Sequence, residues 1–219
     1  MATYNNNLQD QITFLKTNLN ILPTSRGLDI GCGRGEQMIE LQKYCANTFG
    51  VDIENNSEIT NFIHLDIIHS KLSLKNLDFA YCITPYFGKD WWNLDVFLSN
   101  ISESLKQGGL FCFDLNNFNS FKIGKKILSF KDTGDKIVLN TLIRESDKAV
   151  GTRTFVEKDW SRSGIDLLWR IFTKTEIENI FLNYGLKICS EFSGFDSGVD
   201  VNWEPNIQEK RIIVIFEKI

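Results

Sequence analysis

The stretch GLDIGCGRGEQMIEL, residues 27–41, sets three glycines on alternate positions between an apolar run and a helical pattern. Glycine tolerates positive φ and carries no Cβ, so Gly31, Gly33 and Gly35 specify a tight strand-to-helix loop that another molecule can approach closely. A plain turn there needs one glycine, not three. The spacing then narrows the ligand. A dinucleotide fingerprint reads GxGxxG and a phosphate loop ends in Gly-Lys-Ser/Thr, whereas this chain reads GxGxG with no such ending, which disfavours a triphosphate. Asp52 closes the next apolar run, where the acid of a βαβ nucleotide site accepts hydrogen bonds from ribose hydroxyls, with Glu54 as a weaker substitute. Loop and acid together point to an adenosine-like ligand.

The rest of the chain reads as alternating strands and helices. Leu8, Ile12, Leu15 and Leu19 recur at helical spacing and predict an opening helix that ends near Pro23. GLDI, TFGVDI, NFIHLDI, LDFAYCI and LFCFDL read as strands, with helices over Glu36–Cys45 and Trp91–Leu105. Strands separated by helices imply parallel βαβ units with both sheet faces covered. After Asn117 the rhythm changes: Lys136–Arg144 and Val150–Trp160 predict an antiparallel hairpin turning at ESDK, with a third strand over Leu167–Phe172. A helix capped by Thr175 and ending at Gly185 follows, then strands at LKICSEF and RIIVIFEKI. A single domain over residues 1–219 is expected, with residues 116–172 as an inserted antiparallel segment covering the substrate.

Composition excludes several classes. A formal charge of −4 gives no general attraction to phosphate backbones, so nucleic acid is disfavoured, and Lys122, Lys125 and Lys126 read as a solvated face. Cys32, Cys45, Cys82, Cys112 and Cys189 are odd in number and scattered, with neither a disulfide framework nor a zinc spacing. No targeting signal or membrane-spanning run is read, and a cytoplasmic monomer or homodimer is the expectation.

The motifs LDIGCGRGE, GVDIE, HLDI, LDFAYCI and LKQGGLFCFDL, in this order and spacing, resemble those of class I S-adenosylmethionine-dependent methyltransferases. The closing RIFTKTEIENIFLNYGLKICSEFSGFDS and RIIVIFEKI are similar to the small-molecule branch, which includes glycine and aminosugar N-methyltransferases. The resemblance implies a Rossmann-like α/β fold: a seven-stranded, mostly parallel sheet with helices on both faces, here carrying an inserted antiparallel hairpin or three-stranded lid. It further implies S-adenosyl-L-methionine as cofactor, S-adenosyl-L-homocysteine as product, and no metal. On the matching positions, Gly31 and Gly33 would pass beneath the methionine part, Cys32 and Gly35 belong with them to the cofactor-binding set, and Asp52 would hold the ribose. Ile53 would pack on the adenine, Asp66 would face its amino group beside Ile67, Cys82 would lie near the methionine moiety, and Tyr4 would close over it.

Methyl transfer from a sulfonium rests mainly on alignment, so no triad is required. Tyr86 and His64 are the candidate catalytic groups; either His64 or His69 could serve as a base, and each also reads as a loop or packing residue. Tyr86, one of the Trp91–Trp92 pair (Trp91 in the binding set), Arg144 and Arg153 are expected to meet the acceptor, the arginines through a carboxylate. Trp160 and Trp169 are expected to pack the insert onto the sheet. The expected activity is transfer to a small-molecule N- or O-nucleophile, with a tRNA or protein acceptor, or a noncatalytic binding module, as alternatives.

Overall fold

The structure is a computed structural model that describes residues 8–56, 58–195, 203 and 211–219. Tyr4 lies outside the described residues. Seven strands form one sheet: β1 (Arg26–Ile30), β2 (Asn47–Asp52), β3 (Phe62–His64), β4 (Leu77–Cys82), β5 (Leu105–Asn116), β10 (Leu186–Phe192) and β11 (Arg211–Lys218). Their order is β10-β11-β5-β4-β1-β2-β3. The first five run parallel, and β11 is antiparallel to both of its neighbours, β5 and β10.

Alternation along the central strands feeds two apolar layers. Phe79 and Tyr81 of β4 face a cluster with Ile12, Phe14 and Leu15 of α1 (Leu8–Asn18) and Leu41 of α2 (Glu36–Gln42). Ala80 and Cys82 face the opposite layer, where α3 (Asp95–Ser104) brings Phe97 and Ile101, and α4 (Lys174–Leu182) brings Ile177 and Phe181. The Phe181 and Phe216 rings stack there with centroids 4.1 Å apart. Burial on both faces favours apolar residues at successive positions, which is why residues 79–82 of β4 and 212–216 of β11 read as continuous hydrophobic runs.

Four further strands, β6 (Lys126–Asp132), β7 (Lys136–Arg144), β8 (Lys148–Glu157) and β9 (Arg162–Arg170), make a separate antiparallel sheet between β5 and α4. The insert therefore has one more strand than expected. The missed β6 is an edge strand in which Ile127 and Ser129 are half-buried while Leu128 and Phe130 stand exposed between Lys126 and Lys131, so its apolar residues do not mark one buried face. Two local expectations also change. Thr173, not Thr175, caps α4, because Glu176 stands three residues beyond Thr173 and completes the reciprocal capping box. Trp160 sits in a turn with 76% of its surface exposed, whereas Trp169 packs on Phe118 with ring centroids 5.4 Å apart.

Candidate active site

Strand order reverses between β1 and β4, and in open parallel sheets ligands lie outside the carboxyl ends of the strands at that point. A cleft of about 320 Å³ opens there, lined by Gly31 beyond β1, Asp52 and Ile53 at β2, Asp66 and Ile67 beyond β3, and Cys82 at β4. Of the glycine loop, Gly31 borders the cleft, while Cys32 turns its side chain inward against Gly50. Gly31, Gly33 and Gly35 all hold positive φ, 69°, 51° and 75°. Space stands open where a Cβ on Gly31 or Gly33 would lie.

Asp52 shapes this loop. Its Oδ2 accepts from the Gly33 amide at 2.7 Å and its Oδ1 from the Glu54 amide at 2.9 Å. Each carboxylate oxygen keeps a second lone pair for a ribose hydroxyl. Ile53 is 63% exposed on the rim, available to an adenine face. Asp66 is already engaged: its Oδ2 meets His69 Nδ1 at 2.8 Å and its Oδ1 accepts from the Ile68 amide at 3.1 Å. Slight burial would raise the Asp66 pKa, but the His69 contact and the Ile68 amide outweigh it and hold the carboxyl below its ordinary value. The same bond raises the His69 pKa, with Asp90 contributing from 3.5 Å. Burial raises the Cys82 thiol, which makes it a packing group and not a nucleophile.

Two groups escaped the sequence reading. Asp29, one strand position before Ile30, is 3% exposed, and its Oδ2 has no hydrogen-bond partner. Burial pushes its carboxyl up to about 7, with the Tyr81 hydroxyl drawing it back, Asp52 adding to the rise and the Met38 amide opposing it. An acid amid Leu28, Ile30 and the buried strand was the available signal. The second group is the pair Asp114–Arg211, joining the ends of β5 and β11. Arg211 Nε donates to Asp114 Oδ1 at 2.8 Å and its Nη2 bonds Oδ2, which also accepts from the Thr84 amide at 2.8 Å.

A second cleft, of about 530 Å³, lies between the four-stranded sheet and the loop after β4. Thr84, Pro85 and Tyr86 line both clefts and form their common wall. The Tyr86 hydroxyl donates to the Asp166 carbonyl on β9 at 2.7 Å, so this side chain bridges the two sheets. Three expected acceptor or catalytic residues stand elsewhere. Trp91 is 2% exposed among Phe87, Phe113 and Phe172, because adjacent tryptophans cannot share a face and Trp92 takes the solvent. Arg144 is 7% exposed and spends its guanidinium on the Asn119 and Phe121 carbonyls, at 2.9 and 2.6 Å. His64 is exposed, touches the Ile53 carbonyl at 2.9 Å and is not among the described residues lining either cleft. Arg153 does line the second cleft.

Replacing Asp52 with Ala is expected to weaken cofactor binding by about 1–3 kcal/mol, because the loop amide and the sugar lose one partner together. Calorimetric titration with S-adenosylhomocysteine measures this directly, and unchanged affinity would remove the role.

Residues 28–113 match the model of the methyltransferase domain family. A probable cobalt-precorrin-6B C(15)-methyltransferase (decarboxylating) of Methanococcus vannielii is 25% identical over 174 residues, 78% of this chain and 76% of that protein. A S-adenosylmethionine-dependent methyltransferase of Clostridium acetobutylicum shares the fold with a TM-score of 0.78 at 19% identity, covering 96% of this chain and 91% of its own. An amino pentose methyltransferase of Micromonospora echinaspora, solved with S-adenosylmethionine bound, gives 0.70 at 13%, covering 99% and 92%. Among the described residues no group of side chains is arranged to hold a metal, and no helix is long and apolar enough to cross a membrane. The family match over residues 28–113, which run from β1 into β5, and the cleft at the switch point agree with the fold of S-adenosylmethionine-dependent methyltransferases, to which this part of the chain is similar.

Proposed function

We propose that the chain methylates a small-molecule acceptor through a nitrogen or oxygen nucleophile, with the segment over residues 116–172 covering the acceptor. The supporting observation is the common wall: Thr84–Tyr86 borders the cleft at the switch point and the cleft under the four-stranded sheet. When bound at Gly31 and Asp52, S-adenosylmethionine supplies a methyl carbon on a sulfonium whose thioether leaves uncharged. The chain's own contribution is placement. Holding two partners in line can be worth roughly 7–11 kcal/mol without any proton transfer. Tyr86 fixes the width of the junction by tying the β4 loop to Asp166, and its ring packs on Trp169 at 5.5 Å.

A volume of about 530 Å³ under a roof of strands falls in the size range of small-molecule sites. The acceptors named for the relatives, an amino pentose and a cobalt-precorrin, are small molecules too. A screen of S-adenosylhomocysteine release against amines, amino acids, phenols and carboxylates tests the reading. Release that depends on one such class is expected. Release with tRNA or protein alone, or cofactor binding with no turnover of anything, would contradict it.

A further inference from the structure

We propose that the acceptor carries a carboxylate, and that Arg153 receives it at one end of the cleft beneath the four-stranded sheet. This rests on the reading of that cleft as the acceptor site.

Strand β8 runs through the middle of the sheet, and alternate residues Ala149, Gly151 and Arg153 share one face. Cross-strand register sets this face in rows: Arg144, Ala149 and Trp169, then Leu142, Gly151 and Leu167, then Asn140, Arg153 and Ile165. Small residues in the middle strand, with Leu142, Leu167 and Trp169 to the sides, make an apolar trough. No larger residue fits at Gly151, where a Cβ would come within 1.9 Å of the Thr141 carbonyl oxygen. Arg153 ends the trough.

Its guanidinium is aimed by neighbours. Nε donates to Asn140 Oδ1 at 2.8 Å, and the Asn140 amide reaches Ser129 Oγ at 3.4 Å, so β6, β7 and β8 act in series to fix the plane. Among the described residues, neither outer nitrogen, Nη1 or Nη2, has a hydrogen-bond partner. A planar fork with two free parallel donors fits a carboxylate bidentately. The other guanidinium on this cleft, Arg211, is neutralised by Asp114. One uncompensated positive charge matches a single negative charge, which favours a carboxylate over a phosphate dianion. The acceptor is thereby a mixed molecule: an apolar body in the trough, an acid at Arg153, and its nucleophile toward the Thr84–Tyr86 wall.

The test uses the full chain saturated with S-adenosylhomocysteine and unreactive matched probes: indole-3-acetate and benzoate, their primary amides, and phenyl phosphate. Binding is read by calorimetry for the wild type, Arg153→Gln and Arg153→Lys. At least one carboxylate is expected to bind tenfold or more tightly than its amide. Arg153→Gln is expected to abolish that preference, Arg153→Lys to restore part of it, and affinity for S-adenosylhomocysteine to stay unchanged in both. Equal binding of acid and amide, no binding of either carboxylate, preference for phenyl phosphate, or a preference that survives Arg153→Gln would overturn the proposal. Loss of S-adenosylhomocysteine binding by the wild type would instead strike the methyl-transfer reading, so the two failures are separable.

Discussion

Replacing Arg211 with Met is expected to lower the unfolding free energy by about 3–5 kcal/mol, because Asp114, at 1% exposure, would be left buried without its charge partner. The pair does more than hold β5 to β11. Asp114 Oδ2 anchors the amide of Thr84, a β-position-following residue held at φ 54°, where a branched side chain is strained. Thr84 in turn starts the wall common to both clefts. Urea denaturation of Arg211→Met, Asp114→Asn and the double variant completes a thermodynamic cycle. The double variant is expected to cost less than the sum of the singles, by about 0.5–3 kcal/mol, since it leaves no charge stranded. Strict additivity would show that the two groups do not act as a pair.

Asp29 is expected to make the protein less stable as pH rises, the reverse of a salt-bridged carboxylate. Its folded pKa of about 7 stands above the ordinary 3.8. Below about pH 3 both states hold the proton and the residue contributes no difference. Between about pH 4 and 7 the folded chain keeps a proton that the unfolded chain has released, so stability declines through this window and levels off above it. The gap corresponds to about 4 kcal/mol. Asp29→Asn, close in shape to the protonated acid, is expected to exceed the wild type by only about 1 kcal/mol near pH 4.5 and by up to the full amount at pH 8. Denaturation of both proteins at the two pH values decides the matter, and a difference independent of pH would show that Asp29 is not the titrating group.

What could be read from the sequence follows from how local each signal is. The glycine loop and β4 depend on backbone freedom and full burial, which residue type and spacing encode directly. The acidic end of β2 was legible for the same reason, because a carboxylate interrupts an apolar run at a strand terminus. Roles set by partners far along the chain were not. Arg144 and Arg153 are both arginines on inserted strands, yet one is consumed by the Asn119 and Phe121 carbonyls and the other faces a cleft. Only the folding of residues 118–121 against β7 separates them. Asp114 and Arg211 stand 97 residues apart and meet because β11 returns antiparallel beside β5. Thr173 and Thr175 show a finer limit, in which the position of Glu176 decides the cap that composition leaves open.

Calorimetric titration of the wild type and Gly31→Val with S-adenosylhomocysteine asks whether the bare loop beyond β1 is the cofactor's seat. Gly31 holds φ 69° with open space where its Cβ would stand, so valine would both strain the loop and project into the cleft. Saturable binding of one ligand per chain is the predicted result, abolished in Gly31→Val while far-ultraviolet circular dichroism stays unchanged. No saturable heat from the wild type, or equal affinity in the valine variant, would contradict it.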